Sequence, residues 1–514
     1  MSQTTARFVS LLYQAHSSQP AQVVEAPECF SDLFLDQIVN VVVEGREAYR
    51  IQEFFYAPLP DVEAIVYRQE IVQDLDDPTV EKPIRSFAQT LRTMREYLAL
   101  VEKLYYPYQK ARWFLDAVEV YCQAAHGLNQ ELANLPLRSR GLIAFREFLQ
   151  EYIDSDSFFS LEKEMLELKA ALDAVMYCVR IQGSTVTVLR YQDEADYSQE
   201  VLNTFAKFKQ GAVKEYLVKF SDWPEMDHVE AQVLDLVALL YRETFDWLER
   251  FHRERKDYLN PTLGEFDRQV QFYLAYLEYI APLRQTSLSF CYPKLSDQNK
   301  EVQVEQGFDL ALARKLVHAK QSVVCNDFYL RDPERILVIT GPNQGGKTTF
   351  ARMFGQLHYL AALGLPIPGH QAQLFLFDHL LTHFERAENP HSLRGKLEDD
   401  LLRIHQILER ATSRSIVILN EIFNSTTFSD ALFLSREILK AVIQKDLLCV
   451  WVTFIDELTT MKKTVSMVST VLADEPDCRT YKVIRKPADG LAYALSLARK
   501  YGLTYDRLKE RVKP

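Results

Sequence analysis

The sequence has few glycines and no long apolar run. Glycine accounts for 16 of 514 residues, well below its average usage, which predicts long helices and few loops. No segment reaches the roughly 18 consecutive apolar residues that a membrane-spanning helix needs. The first residues, MSQTTARFVSLLYQ, also lack the basic and apolar regions of a signal peptide. These absences favour a cytoplasmic protein without a membrane partner.

Patterned cysteines and excess positive charge are absent too. The 7 cysteines lie between Cys29 and Cys478 without any CxxC or cysteine–histidine spacing, so buried apolar side chains are favoured over disulfides or a zinc site. The formal net charge is −12, which weighs against a surface coated with phosphate contacts, since lysine and arginine supply most nonspecific affinity for nucleic acid. Any nucleic-acid contact is therefore expected to be local.

Helical spacing dominates the first part of the chain. The length of 514 residues predicts several domains. Alternating residues in 179–192, with a turn at Gly183-Ser184, predict a short hairpin, and Asn260-Pro261 predicts a break in a helix. Apolar residues recur at helical spacing in three blocks, which predict long amphipathic helices: 83–126, 142–177 and 229–284. The first 300 residues are thus expected to be almost entirely α-helical.

The pattern changes after Pro293. Short apolar runs rich in β-formers alternate there with helical patterns, which predicts a parallel sheet with helices on both faces and a domain boundary near residues 290–300. These runs are Ile336–Thr340, 372–377, 415–422 and 447–454.

A phosphate-binding loop follows the first of these runs. Residues 341–348 match GxxxxGK[ST], directly after an apolar strand and before a helical pattern, which is the context that phosphate binding requires. Backbone N–H groups of such a loop surround phosphates, Lys347 would contact them, and the Thr348 hydroxyl could bind Mg²⁺. The alternative is a chance glycine turn. The expected nucleotide-binding residues are Gly341, Pro342, Asn343, Gln344, Gly345, Gly346, Lys347, Thr348 and Thr349.

A carboxylate is expected near this loop to hold the metal or to orient water. The run SIVILNEI supplies Glu421 at the end of an apolar strand, preceded by Asn420. Glu421, with Lys347, is therefore the candidate catalytic residue, and Thr348 with Asn420 the candidate metal site. Glu421 could alternatively be a plain surface residue.

Together, ITGPNQGGKTTFAR and SIVILNEIFNSTTFSDAL resemble the ATPase domain of the MutS family, in which the P-loop reads TGPNxxGKST and the second motif reads DEIGRGTSxxDG. The segments VVCNDFYL, WVTFIDELTTM and AYALSLARKYGL are similar to other family segments in the same order. The resemblance covers roughly residues 300–514.

The resemblance implies a multidomain architecture: an all-α core and lever region with a small β clamp hairpin, an α/β P-loop NTPase domain of ABC type, and a C-terminal helical dimerisation element. The expected bounds are 1–295, with a clamp-like insertion around 179–225, then 296–480 and 481–514. The short segment before the core-like run 54–75 implies a form without mismatch-binding and connector domains. ATP, Mg²⁺ and a homodimer are also implied.

The chain departs from the family pattern at several positions. Asn420 stands for the metal-linked aspartate, Phe454 for a histidine, 423–425 for Gly-Arg-Gly, and Val323 for the phenylalanine that stacks on adenine. These changes predict weaker Mg²⁺ binding or slower turnover. Residues that the resemblance places across the dimer, at the partner's nucleotide, are Ser392, Arg394, Gly395 and Asp430; Arg394 could alternatively be an ordinary exposed arginine.

A lysine-rich segment is the candidate contact with nucleic acid. It interleaves aromatic residues with Lys207, Lys209, Lys214 and Lys219, in the neighbourhood of the family's clamp, where lysines could neutralise phosphates. A solvated basic helix face is the alternative, and RFHRERK at 250–256 is more typical of such a surface than of a binding patch.

Two functions remain open at this point. One is a MutS-like ATPase that dimerises and clamps double-stranded DNA that is mismatched, branched or distorted, in repair or recombination. The other is an ATP-gated switch with little hydrolysis that acts on a protein or ribonucleoprotein. A transporter ATPase is disfavoured because the sequence has no LSGGQ-type signature.

Overall fold

The computed structural model describes residues 8–14, 25–192, 226–385, 395–472 and 479–488, with Leu503, Tyr505 and Lys509. Its helices are α1 (Cys29–Leu33), α2 (Leu35–Val43), α3 (Gln52–Tyr56), α4 (Val62–Leu75), α5 (Pro78–Lys103), α6 (Pro107–Ala133), α7 (Arg140–Ile153), α8 (Asp156–Asp173), α9 (His228–Leu240), α10 (Arg242–Glu254), α11 (Pro261–Arg284), α12 (Leu310–His318), α13 (Lys347–Ala362), α14 (Lys396–Arg410) and α15 (Phe428–Lys445).

The strands are β1 (Tyr177–Gln182), β2 (Thr185–Arg190), β3 (Phe290–Cys291), β4 (Lys294–Ser296), β5 (Val302–Gly307), β6 (Asn326–Leu330), β7 (Ile336–Thr340), β8 (Ile367–Pro368), β9 (Gln371–Phe375), β10 (Leu380–Phe384), β11 (Ile416–Asn420), β12 (Leu448–Val452), β13 (Thr464–Val471) and β14 (Arg479–Arg485). No helix in this described part is long and apolar enough to cross a membrane.

The chain divides into two compact units. One includes Pro78–Pro136 and Ala144–Asp267, and the other includes Phe8–Asp77, Leu137–Ile143 and Arg268–Pro514. The second unit therefore contains residues from the helical first part as well as the strands after Pro293. The domain bounds expected from the sequence stay a prediction.

In its described residues, the first unit is built from paired helices and one hairpin. Each of the three expected helical blocks contains more than one helix: α5 and α6, α7 and α8, and α9 to α11. Tyr106 has an extended backbone (ψ 129°) directly before Pro107, where α6 begins, because the residue before a proline is disfavoured in a helix. Ser155 starts α8 by accepting a hydrogen bond from Phe158 N.

Two local predictions in this unit are confirmed. β1 and β2 form an antiparallel hairpin in which Gln182 pairs with Thr185, and Gly183 has a φ of 61°, as the first position of a tight hairpin turn allows. α11 begins at Pro261, where the Asn260 side chain accepts a hydrogen bond from Thr262 N at 2.9 Å.

A six-stranded sheet forms the core of the second unit. Its order is β10-β11-β12-β7-β13-β14, and its pairs are parallel except for β13 with β14. Val417 and Trp451 pack into an apolar cluster with residues of α14 and α15. On α13, a β-carbon at Gly355 would lie 2.9 Å from Ile418 Cδ1. Since Val417 and Ile418 point to opposite faces, helices cover both faces of the sheet, as predicted.

One predicted strand lies in a different sheet. The run 372–377 was expected in the parallel sheet, but β9 belongs to a four-stranded sheet, parallel to β4 and antiparallel to β5. The place beside β11 is taken by β10, LLTHF. The histidine in this run interrupts the apolar pattern, so the sequence does not indicate a buried strand. A polar side chain is buried at low cost only with a partner, and the partner here lies elsewhere in the chain.

Candidate nucleotide-binding site

The predicted phosphate loop connects β7 to α13. Gly341 and Gly346 have φ values of 114° and 92°, a region that side chains with a β-carbon rarely adopt. A β-carbon at Gly341 would also lie 2.8 Å from the Ser469 carbonyl oxygen of β13. Ser469 Oγ donates to the Gly345 carbonyl at 2.6 Å. The glycines are thus required both by the backbone and by the close approach of β13.

Lys347, at the start of α13, is almost fully buried, with 5% of its side chain exposed. Its ammonium donates to the carbonyls of Gly341 and Pro342, both at 3.1 Å, and to Asn343 Oδ1 at 3.3 Å. Burial lowers the pKa of Lys347, whereas the Glu421 carboxylate, 3.6 Å away, acts in the opposite direction. The loop therefore holds the Lys347 ammonium against its own carbonyl oxygens. Phosphate oxygens of a bound nucleotide could replace these carbonyls as acceptors.

Thr348, the next residue of α13, contacts Asn420 of β11. The Thr348 hydroxyl donates to Asn420 Oδ1 at 3.0 Å, and Asn420 is buried at the carboxyl end of β11. Two neutral oxygen atoms side by side fit a hard cation such as Mg²⁺, which prefers oxygen ligands. An amide oxygen supplies less negative charge than the carboxylate of the family pattern.

The turn after β11 positions Glu421. Glu421 and Phe423 have φ values of 53° and 64°, a sparsely populated conformation that side chains adopt only where the surroundings enforce it. The N–H of Glu421 donates to Val452 O of β12 at 3.0 Å. The carboxylate stays partly exposed at 31%, so it lies beside Lys347 and remains open to a ligand or to water.

A buried pair that sequence reasoning missed supports this turn. His383 Nε2 lies 2.9 Å from Asp400 Oδ1, and Asp400 Oδ2 accepts a hydrogen bond from Phe423 N at 3.4 Å. The pair joins β10 and α14 to the turn that carries Glu421. No local motif signals it, because its members are 17 residues apart and meet only in the tertiary structure.

A cavity of about 590 Å³ adjoins the helix end of the loop and is lined by residues including Val323, Leu316, Gly346, Thr349 and Tyr481. Val323 is the residue that the resemblance placed at the adenine. The half-exposed Tyr481 was missed, since it belongs to β14, which no predicted strand covered. Residues 481–485, expected in the C-terminal helical element, are part of that strand.

The residues expected to act across a dimer are only partly described. Asp430 lies in the first turn of α15, where its carboxylate accepts a hydrogen bond from Thr427 Oγ1 at 2.8 Å. Gly395 precedes α14. Phe454 is 50% exposed, with its ring 6.4 Å from that of Phe428. Outside the described residues lie Ser392, Arg394, Lys207, Lys209, Lys214 and Lys219.

The residues of this site lie within a segment that matches a known family. The family model of MutS domain V matches residues 337–504, which include the loop, Asn420, Glu421 and Tyr481. This segment of the chain belongs to the MutS domain V family. The DNA mismatch repair protein MutS of Halalkalibacterium halodurans is 25% identical over 285 residues, which cover 54% of this chain and 32% of that protein.

Other MutS-family proteins align over similar segments. MutS of Thermotoga maritima is 27% identical over 243 residues, 46% of this chain and 30% of that protein. The DNA mismatch repair protein MSH3 of Lodderomyces elongisporus is 28% identical over 218 residues, 41% of this chain and 22% of that protein. The matched segment thus spans a third or less of each of these relatives.

Proposed function

We propose that this MutS-family chain binds ATP with Mg²⁺, hydrolyses it slowly and uses the nucleotide to control a clamp on DNA. The proposal rests on one observation: four side chains meet at the carboxyl ends of β7 and β11. They are Lys347, Thr348, Asn420 and Glu421. In parallel α/β sheets this edge is where ligands bind.

Each residue has a defined task in this proposal. The glycine-rich turn presents N–H groups to the phosphates, and Lys347 exchanges its carbonyl partners for phosphate oxygens. Glu421 orients the attacking water. Thr348 and Asn420 would hold Mg²⁺, which when bound supplies positive charge to the phosphates. The cavity beside Gly346 and Thr349 would take the base, with Tyr481 as its aromatic wall.

The partners follow from the family. The relatives are named DNA mismatch repair proteins, so mismatched, branched or distorted double-stranded DNA is the proposed polymer, with the four lysines of 207–219 as its local contacts. A homodimer would complete each nucleotide site with Ser392, Arg394, Gly395 and Asp430 of the second chain. Arg394 would stabilise charge on the terminal phosphate, because a guanidinium matches phosphate geometry.

A second function is favoured by two observations. Asn420 supplies no carboxylate beside Thr348, and the half-exposed Phe454 cannot donate a hydrogen bond to phosphate or water. Both changes fit an ATP-gated switch that barely hydrolyses its nucleotide and clasps a protein or ribonucleoprotein.

ATP hydrolysis, measured with and without linear, mismatched, four-way-junction and single-stranded DNA at two salt concentrations, separates the two functions. Stimulation or inhibition by one DNA form, weakened by salt, supports the DNA clamp. A low rate that no DNA alters supports the switch.

The nucleotide site is tested separately. Lys347→Ala should abolish ATP binding, whereas Lys440→Ala, which removes an exposed lysine paired with Glu437, should not. Retained micromolar affinity in Lys347→Ala would contradict the site.

A further inference from the structure

A basic pocket lies in the first unit, between the end of α5, the start of α6 and the end of α10. Its volume is about 610 Å³, and the charged and ring side chains that line it are Lys110, His252, Lys256, Glu102 and Phe114. Leu98, Ala99 and Val101 complete the wall. We call this site the basic pocket. All of its lining residues belong to one compact unit.

The two lysines of the basic pocket differ from other charged residues of the same unit. Other charged side chains of the same unit are paired, as Arg112 is with Asp116 and Lys169 with Glu119. Within the described residues, by contrast, neither Lys110 nor Lys256 has a carboxylate within ion-pair distance. Two lysines and one glutamate, Glu102, line this cavity, so its lining carries a net positive charge in a chain of net charge −12.

The histidine responds to this positive charge. Burial lowers the pKa of His252, the charges of Lys256 and Lys110 lower it further, and Glu102 on α5 opposes them. The His252 ring packs against Phe114, with centroids 4.8 Å apart. The ring is therefore held in place as a neutral hydrogen-bonding group beside two cations.

The start of α6 adds to the same field. Its first turn contains no acidic residue, Tyr106 gives it no side-chain cap, and Lys110 follows directly. The first turn of a helix carries partial positive charge, where an acidic residue is normally favourable and a lysine is not. Helix end, lysines and histidine thus all favour an anion.

We propose that the basic pocket binds a phosphate group carried by a ligand. Lysine ammonium groups act as point charges toward phosphate, and a neutral imidazole can donate one further hydrogen bond. A cavity of about 610 Å³ exceeds a lone phosphate and lies in the range of sites for small organic ligands, so Phe114 and the apolar wall would contact the rest of the ligand. The phosphate could belong to a nucleic-acid backbone or to a small phosphorylated molecule.

The test follows the His252 ring by NMR of the full chain with labelled histidines, its signal assigned by loss in His252→Gln. Inorganic phosphate should shift this signal saturably, and chloride of equal ionic strength should not. Lys110→Gln/Lys256→Gln should weaken the response about tenfold or more. Lys82→Gln/Lys163→Gln removes the same charge from helices of the same unit, outside the pocket lining, and should leave it unchanged.

A single-stranded oligodeoxynucleotide distinguishes the two sources of phosphate. If it shifts His252 at lower concentration than inorganic phosphate, the ligand is a nucleic-acid backbone; a response to inorganic phosphate alone indicates a small phosphorylated molecule. A response that does not saturate, or that persists equally in Lys110→Gln/Lys256→Gln, overturns the proposal. The readout does not involve Lys347, so it is independent of the nucleotide site.

Discussion

Asn420 is one of the residues at which the site departs from the MutS pattern. Its amide oxygen accepts the Thr348 hydroxyl at 3.0 Å, so a carboxylate of the same length would occupy the same place. At an assumed distance of about 4 Å and an effective dielectric of about 20, the added charge contributes a gross attraction of about 4 kcal/mol to a bound cation, part of it offset by desolvation.

We therefore expect Asn420→Asp to lower the Mg²⁺ concentration needed for ATP hydrolysis and to raise the rate. Asn299→Asp, which adds the same charge at an exposed position, serves as the control. Steady-state hydrolysis at a series of Mg²⁺ concentrations checks this. An unchanged Mg²⁺ dependence would mean that Asn420 does not face the metal.

His358 makes the stability of its unit sensitive to acid. It is fully buried on α13, its Nδ1 lies 2.8 Å from Phe354 O, and burial lowers its pKa to about 4. The unfolded chain, with an ordinary histidine pKa near 6.5, binds the proton more readily. The contribution of His358 to the free energy of unfolding is thus fully present above pH 6.5 and is lost as the pH falls toward 4. Between pH 7 and 5 the loss is about 2 kcal/mol.

His358→Leu should remove this part of the acid sensitivity, since it fills the same core position with an apolar side chain that does not titrate. Urea unfolding at pH 7 and pH 5 measures it for both proteins, and His405→Leu is the exposed control. Equal losses between the two pH values in wild type and His358→Leu would rule out His358 as the source.

At the scale of elements, two helical glycines offer opposite tests. On α13, a β-carbon at Gly355 would lie 2.6 Å from Leu33 Cδ2 and 2.9 Å from Ile418 Cδ1, both fully buried, whereas Gly127 on α6 has nothing within 4 Å. Overpacking is destabilising by about 1–3 kcal/mol, while replacing glycine by alanine in a helix stabilises it by up to about 1 kcal/mol.

Gly355→Ala should therefore lower the free energy of unfolding of its unit, and Gly127→Ala should raise that of the helical unit. Urea titration of each variant, followed by circular dichroism, checks the signs. An unchanged free energy of unfolding in Gly355→Ala would show that α13 can move away from β11 at no cost in stability.

Elements also show where sequence patterns succeed. β7 was predicted residue for residue, because a fully apolar run before a glycine-rich loop has few alternatives, and Asn260-Pro261 marked the start of α11. Strands β10, β13 and β14 were not predicted. Their polar residues, such as His383 and Ser469, are buried through partners on other elements, and no local periodicity records such partners.

For the whole molecule, the decisive question is whether each nucleotide site uses residues of two chains. Lys347→Ala and Arg394→Ala should each lose most ATP hydrolysis alone. When the two are mixed, heterodimers carry one site with both Lys347 and Arg394 intact, so about a quarter of the wild-type rate should return at random pairing. Hydrolysis by the mixture after subunit exchange measures this. Without recovery, Arg394 does not act across a dimer.

The sequence by itself determined the phosphate loop, the strand before it, the helical character of the first part and the resemblance to MutS, because these depend on neighbouring residues and on spacing. Only the tertiary structure decided that Asn420 meets Thr348, that Tyr481 lines the cavity beside Gly346, that His383 and Asp400 support the Glu421 turn, and that Lys110 shares a pocket with Lys256. Each of these relations joins residues far apart in the chain. They exist because packing of the core brings separate elements together, and that packing depends on all elements at once.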